Sequence, residues 1–120
     1  MKWVCGIPGP KDSPWEGAIF PVTLDFPPEF PDMPPKVRFP AGFFHPNVYP
    51  SGTVCLSLVD QEKDWKCAIT VKQILLGVQD LLNNPNPKSP AQEEAYHVFQ
   101  RDRHMYTQKV REQAARYFPK

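Results

Sequence analysis

The residue in this chain best suited to covalent chemistry is Cys55, at the end of an irregular stretch and eight positions after the Asn of His45-Pro46-Asn47. A thiol takes up an acyl group as a thioester and passes it to an amine, and the tetrahedral intermediate then needs a donor aimed at its oxyanion. The side-chain amide of Asn47 is the candidate donor. Other chemistries lack their residues: the chain has no Gly-rich phosphate loop, His-Glu-x-x-His, Cys-x-x-Cys or Gly-x-Ser-x-Gly. Nucleotide and metal chemistry are therefore not expected. A papain-like peptidase would need a His base paired with the thiol, and the contexts of His45, His97 and His104 show no such pairing. His97 and His104 read as structural. Each residue also has an ordinary explanation, since cysteine is often buried, Asn suits turns and a His beside Pro usually satisfies its own loop.

The elements that must position these groups follow from periodicity. Phe20, Val22, Leu24 and Phe26 alternate with Pro21, Thr23 and Asp25, the period-two pattern of a strand with one buried face, and Pro21 suggests an edge or irregular pairing. Residues 3–7 make a partner strand across a turn-rich connection. Past the Pro-rich residues 27–35, Lys36-Val37-Arg38-Phe39 alternates again, with Val37 and Phe39 inward and both cations on the other face. Residues 40–70 have little period, and an irregular stretch of that length in a small domain suggests function. Thr70-Val71-Lys72-Gln73 fits a capping box before a helix over 70–83, with Val71, Ile74, Leu75, Val78, Leu81 and Leu82 at helical spacing. Ser89-Pro90-Ala91-Gln92 has the form of a second capping box, predicting a helix over 90–99 with Ser89 as N-cap. A third helix is expected over 102–118, with Met105, Val110, Ala114 and Tyr117 along one face. Strands first and helices last define an α+β domain spanning 1–120.

Composition sets outer bounds. At 120 residues the chain has room for one core, and no apolar run is long enough for a membrane span. A net charge of +1 does not supply the basic face of a nucleic-acid binder. Three cysteines lack the even count of a secreted disulfide framework, and no signal-like apolar segment follows Met1, which favours a reducing intracellular setting. The 16 prolines are scattered, implying stiff non-regular loops.

Residues 44–56, Phe-His-Pro-Asn-Val-Tyr-Pro-Ser-Gly-Thr-Val-Cys-Leu, resemble the active-site segment of ubiquitin-conjugating enzymes. The resemblance extends through Pro14-Trp15-Glu16-Gly17, Pro34-Pro35-Lys36, Trp65, Ala68-Ile69-Thr70 and residues 81–87, so it covers essentially the whole chain. Ser51, Thr53, Cys55-Leu56-Ser57, the charged loop 60–65 and residues 90–96 are similar to the SUMO-conjugating branch. The resemblance implies a UBC-like fold, with an antiparallel meander of about three strands followed by helices. It makes Cys55 the thioester-forming nucleophile and Asn47 the oxyanion stabiliser, with His45 and Pro46 holding the asparagine loop. Tyr49 and the Ser89 region would shape the slot that desolvates the incoming lysine. Lys36 and Arg38, alongside Ser51 and Thr53, would meet an acidic residue near the target lysine, and Pro90 and Ala91 would complete the substrate surface. Implied partners are SUMO, its activating enzyme, SUMO ligases and protein substrates, with no nucleic acid or membrane. ATP would be used by the activating enzyme, leaving no cofactor and no metal on this chain, and the location would be nucleus and cytoplasm.

Three departures from the branch pattern stand out. Ser89 replaces a usual Asp, removing a fixed negative charge and predicting slower lysine attack unless phosphorylation restores it. Trp65-Lys66-Cys67-Ala68 replaces a proline with Cys67, a spectator thiol in a loop that ligases touch. The family's N-terminal helix and first strand have no counterpart here, so weaker activity is expected. Ubiquitin conjugation and an inactive interaction module are the competing readings.

Overall fold

In the computed structural model, which describes residues 1–119, the alternating segments form one antiparallel sheet of order β1-β2-β3: β1 (Lys2–Pro8), β2 (Ile19–Asp25) and β3 (Lys36–Arg38). Phe20, Val22, Leu24 and Val37 are buried on one face, while Lys36 and Arg38 stand exposed on the other, as the period-two reading requires. Pro21 lies in the middle strand. It is tolerated because β1 alone runs beside it: Gly6 is its partner, whereas β3 reaches only Thr23, Leu24 and Asp25. Locally β2 is an edge there, which is where a residue without an N–H fits.

Three helices follow: α1 (Val71–Asn83), α2 (Glu93–Arg101) and α3 (Arg103–Ala115). The capping box at α1 is present, with Gln73 N donating to Thr70 Oγ1 at 3.1 Å and Thr70 N to Gln73 Oε1 at 2.7 Å. Ile74, Val78 and Leu82 join the core beneath the sheet, together with Trp15, Phe39 and Phe43. The Phe39 and Phe43 rings stack at 4.1 Å between centroids, and Trp15 meets Phe20, Phe43 and His45 within 5.9 Å. This aromatic column ties the sheet to the irregular segment that carries His45.

Two helix readings need correction. α2 begins at Glu93 with Gln92 as N-cap, so Ser89 caps nothing, and residues 89–92 lie outside any helix. Long-range hydrogen bonds hold them: Ala91 N donates to Pro46 O at 2.8 Å, and the Gln92 side chain is drawn to Phe43 O and Val48 O. On α3, capped by the Asp102 side chain at Met105 N, the buried face is Tyr106, Val110, Gln113 and Ala114, while Met105 is exposed. The residue facing inward is one position later than the spacing suggested, and residues 116–118 lie past the helix end. Since Asp102 breaks the helix, His97 and His104 sit on different helices.

Candidate active site

The eight-residue spacing between Asn47 and Cys55 is the span of a tight hairpin. Val48 and Val54 pair in an isolated antiparallel bridge, and one step outside it Cys55 N donates to Asn47 O at 2.8 Å. The turn closes through Tyr49 N to Thr53 O at 2.9 Å and Gly52 N to Tyr49 O at 2.8 Å. Gly52 has φ 97°, and a Cβ there would fall 2.0 Å from Phe39 O, so only glycine fits. Residues 47–55 thus place the Cys55 thiol using local backbone bonds.

Its surroundings come from farther along the chain. Asn47 is fully buried, and its side chain spans to residues 86–89: Nδ2 donates to Asn86 O at 2.8 Å and to Ser89 O at 2.7 Å, while Oδ1 accepts from Asn86 N at 2.7 Å. An amide has two N–H hydrogens, and both are given to carbonyls here. In this resting arrangement Asn47 is a strut for the segment opposite the thiol. The oxyanion role expected from the sequence requires one of these bonds to be released.

His45 holds that strut from behind. Its Nε2 donates to Leu81 O at 2.8 Å and its Nδ1 accepts from Asn47 N at 3.0 Å, which selects the neutral tautomer with the proton on Nε2. Complete burial lowers its pKa from 6.5 to about 4, against the opposing effect of the backbone bonds at Leu81 and Leu82. His45 is therefore a neutral structural link at pH 7, with its Nδ1 lone pair already used, and not a general base. Stability carries the signature. The unfolded imidazole protonates near 6.5 and the folded one near 4, so the unfolded state takes up the proton first as pH falls. Stability is full above 6.5 and declines between 6.5 and 4, at a slope approaching about 1.4 kcal/mol per pH unit. Urea unfolding at pH 7.5 and 5.5 checks this, and equal midpoints would refute it.

The thiol opens onto a cavity of about 430 Å³ whose wall includes Tyr49, Ser57, Asp60, Lys63, Asn86 and Ser89. Tyr49 and Ser89 are thus brought to Cys55 as anticipated, and Ser89 Oγ accepts from Asn86 Nδ2 at 3.3 Å. Pro46 lies behind the wall, its carbonyl taking the Ala91 bond, whereas Pro90 and Ala91 flank the cavity without lining it. Lys36 and Arg38 also lie off the wall but connect to it: Arg38 bridges to Thr53, whose Oγ1 is 3.1 Å from Ser51 Oγ. Cys67 is exposed, with Asp32 Oδ1 3.8 Å from its sulfur, and shares none of this architecture.

Several positioning groups were not visible from sequence. Gln92 Nε2 donates to Phe43 O and Val48 O, and Gln113, buried on α3, accepts from Phe44 N at 2.7 Å and donates to Phe44 O at 3.1 Å. These two glutamines tie the asparagine segment to the start of α2 and to α3. The one local signal was Gln113 on the apolar face beside Val110. Asn86 is a further partner, and nothing in Asn-Pro-Asn-Pro distinguishes it from an ordinary loop residue.

A half-buried thiol on a short hairpin, an asparagine strut and a wall contributed from beyond α1 form the kind of pocket that a cysteine-centred transferase needs. The family model described as "Ubiquitin-conjugating enzyme" matches residues 1–114, and the chain belongs to that family. Among curated relatives, "Sumo-conjugating enzyme ubc9" of Dictyostelium discoideum is 54% identical over 117 residues, covering 98% of this chain and 74% of that protein. "SUMO-conjugating enzyme SCE1" of Arabidopsis thaliana is 54% identical over the same length, covering 98% of this chain and 73% of that protein.

Proposed function

We propose that this chain is a SUMO-conjugating enzyme that receives SUMO on Cys55 and transfers it to substrate lysines. The observation that carries the reading is Cys55 held against Asn47 at a cavity shared with Tyr49 and Ser89, in a chain 54% identical to two relatives named for SUMO conjugation. The Cys55 thiolate attacks the thioester carbonyl on the activating enzyme, forming a new C–S bond as that enzyme's thiolate leaves. A substrate amine then attacks the same carbonyl. The Cys55 sulfur departs, an amide forms, and the proton lost by the amine passes to solvent or to the thiolate. ATP is consumed by the activating enzyme, and no cofactor is needed on this chain. Tyr49 and Ser89 narrow the approach and strip water from the lysine, which favours its neutral form. Lys36, Arg38, Ser51 and Thr53 receive an acidic residue near that lysine, Pro90 and Ala91 flank its approach, and ligases with the loop around Trp65 complete the partner set. Nucleus and cytoplasm are the compartments where we place it.

Parallel charging reactions with SUMO and with ubiquitin, each with its own activating enzyme and ATP and resolved without reductant, test the reading. A thiol-labile adduct with SUMO alone is expected. Charging by ubiquitin alone would overturn the choice of modifier. The polar wall at Ser89 supports a second expectation. Ser89 lines the cavity without a fixed charge, so Ser89→Asp should discharge to lysine several-fold faster than wild type in single turnover. Equal rates for Ser89→Ala, Ser89→Asp and wild type would remove any role for charge at this position.

A further inference from the structure

The outer face of the sheet carries a second depression, whose apolar walls take no part in the chemistry at Cys55. It is a groove of about 250 Å³ where β2 and β3 meet the loop joining them, walled by Pro27, Met33 and Pro34 and rimmed by Asp25, Lys36 and Arg38. Its floor is fixed by strand register: Asp25 lies opposite Lys36 and Thr23 opposite Arg38, with the intervening Val37 turned into the core. Met33 is 38% exposed, a flexible and polarizable apolar side chain at the mouth. None of the ion pairs among the described residues includes Asp25, Lys36 or Arg38, so the rim charges are free to meet a ligand.

Backbone pairing ties the strand that rims the groove to the active-site hairpin. Arg38 bridges to Thr53, two residues before Cys55, and Val54 N donates to Val37 O at 2.9 Å. From Arg38 to Lys36 is two strand residues, roughly 6.6 Å, and the apolar walls lie beside that end. An extended segment that places its lysine at Cys55 and an acidic side chain over Thr53 and Arg38, and then continues along β3 toward Lys36, brings its following residues to Met33, Pro27 and Pro34.

We propose that this groove is a specificity subsite for an apolar side chain of the protein substrate, two to four residues beyond the acidic residue that Lys36 and Arg38 meet. The proposal rests on the conjugating function inferred above. Pro27, Pro34 and Met33 present little but carbon to that side chain, and its burial supplies the affinity. Asp25 sets the sign of the selection: its carboxylate beside Lys36 opposes a second acidic residue at the groove and admits a neutral or basic one.

The test uses short fluorescein-labelled peptides carrying a lysine, an acidic residue two positions on, and Leu, Ser or Glu at the downstream positions. Anisotropy titration of the uncharged protein reads binding directly. The Leu peptide is expected to bind about tenfold more tightly than the Ser peptide, with the Glu peptide weakest. In discharge from charged Cys55, the difference should fall in KM with kcat unchanged, because the groove lies away from the reacting atoms. Met33→Glu, at an exposed position, is expected to erase the Leu advantage while leaving charging intact, and Asp25→Lys to raise the Glu peptide to the Ser level. Equal binding of the three peptides to the wild-type protein would overturn the subsite. Normal charging without a peptide preference strikes the groove alone, and a Leu preference without charging strikes the conjugating function alone.

Discussion

A Cys55→Ala chain incubated with SUMO, its activating enzyme and ATP should form no thiol-labile adduct, a loss of at least about a thousandfold, while Cys67→Ala charges like wild type. The asymmetry follows from placement. The Cys55 amide is bonded to Asn47 O and its side chain opens onto a walled cavity, whereas Cys67 lies exposed on a loop and Cys5 is half-buried on β1. Cys55→Ser separates nucleophilicity from geometry. A hydroxyl is nearly isosteric but far less readily ionised, so any adduct forms slowly as an oxyester, resistant to reductant and cleaved by alkali. An adduct that survived Cys55→Ala and vanished with Cys67→Ala would reassign the nucleophile.

Asn47→Ala is the second substitution with a large expected effect, because it removes three hydrogen bonds at a fully buried position. The abandoned Asn86 and Ser89 groups lie near the cavity and can turn to water in part, so the stability loss should be about 2–3 kcal/mol by urea unfolding. Discharge to lysine should slow by about 10²–10³-fold. Choice of nucleophile distinguishes the two ways this can happen. If Asn47 frees an N–H for the oxyanion, discharge to hydroxylamine and to lysine slows equally, since both pass through the same tetrahedral centre. If Asn47 acts by holding the 86–89 wall, hydroxylamine, which needs no oriented approach, is slowed far less than lysine. The resting geometry, with both N–H groups engaged, favours the second pattern.

The parts of the molecule legible in the sequence are those governed by neighbours in the chain. The alternation of β2, the capping box of α1 and the outward cations of β3 each depend on residues a few positions apart. The Asn47 to Cys55 spacing belongs to the same class, because a local bridge creates it. Ser89-Pro90-Ala91-Gln92 shows the limit: it has the form of a helix start, yet the Gln92 amide is claimed by Phe43 O and Val48 O, 49 and 44 residues away, and the helix begins later. The same reason hides the Asn47 strut, whose partners lie 39 and 42 residues on. No short-range pattern encodes a bond across that distance. Met105 and Tyr106 are adjacent on α3, and the packing of Tyr106 against Phe99 and Phe44 decided which one turned inward.

The division between a locally placed thiol and a remotely built wall also has a temporal side. Chain synthesis runs at about 5–20 residues per second, so the 36 residues from Cys55 to Ala91 take roughly 2–7 s to appear. During that interval the nascent chain already holds the hairpin residues that present the sulfur, but Asn86 and Ser89, which wall it, and Ala91, which docks their segment on Pro46 O, do not yet exist. The Cys55 thiol therefore precedes its own shelter on the ribosome, and the walled cavity is completed only when the late segment docks.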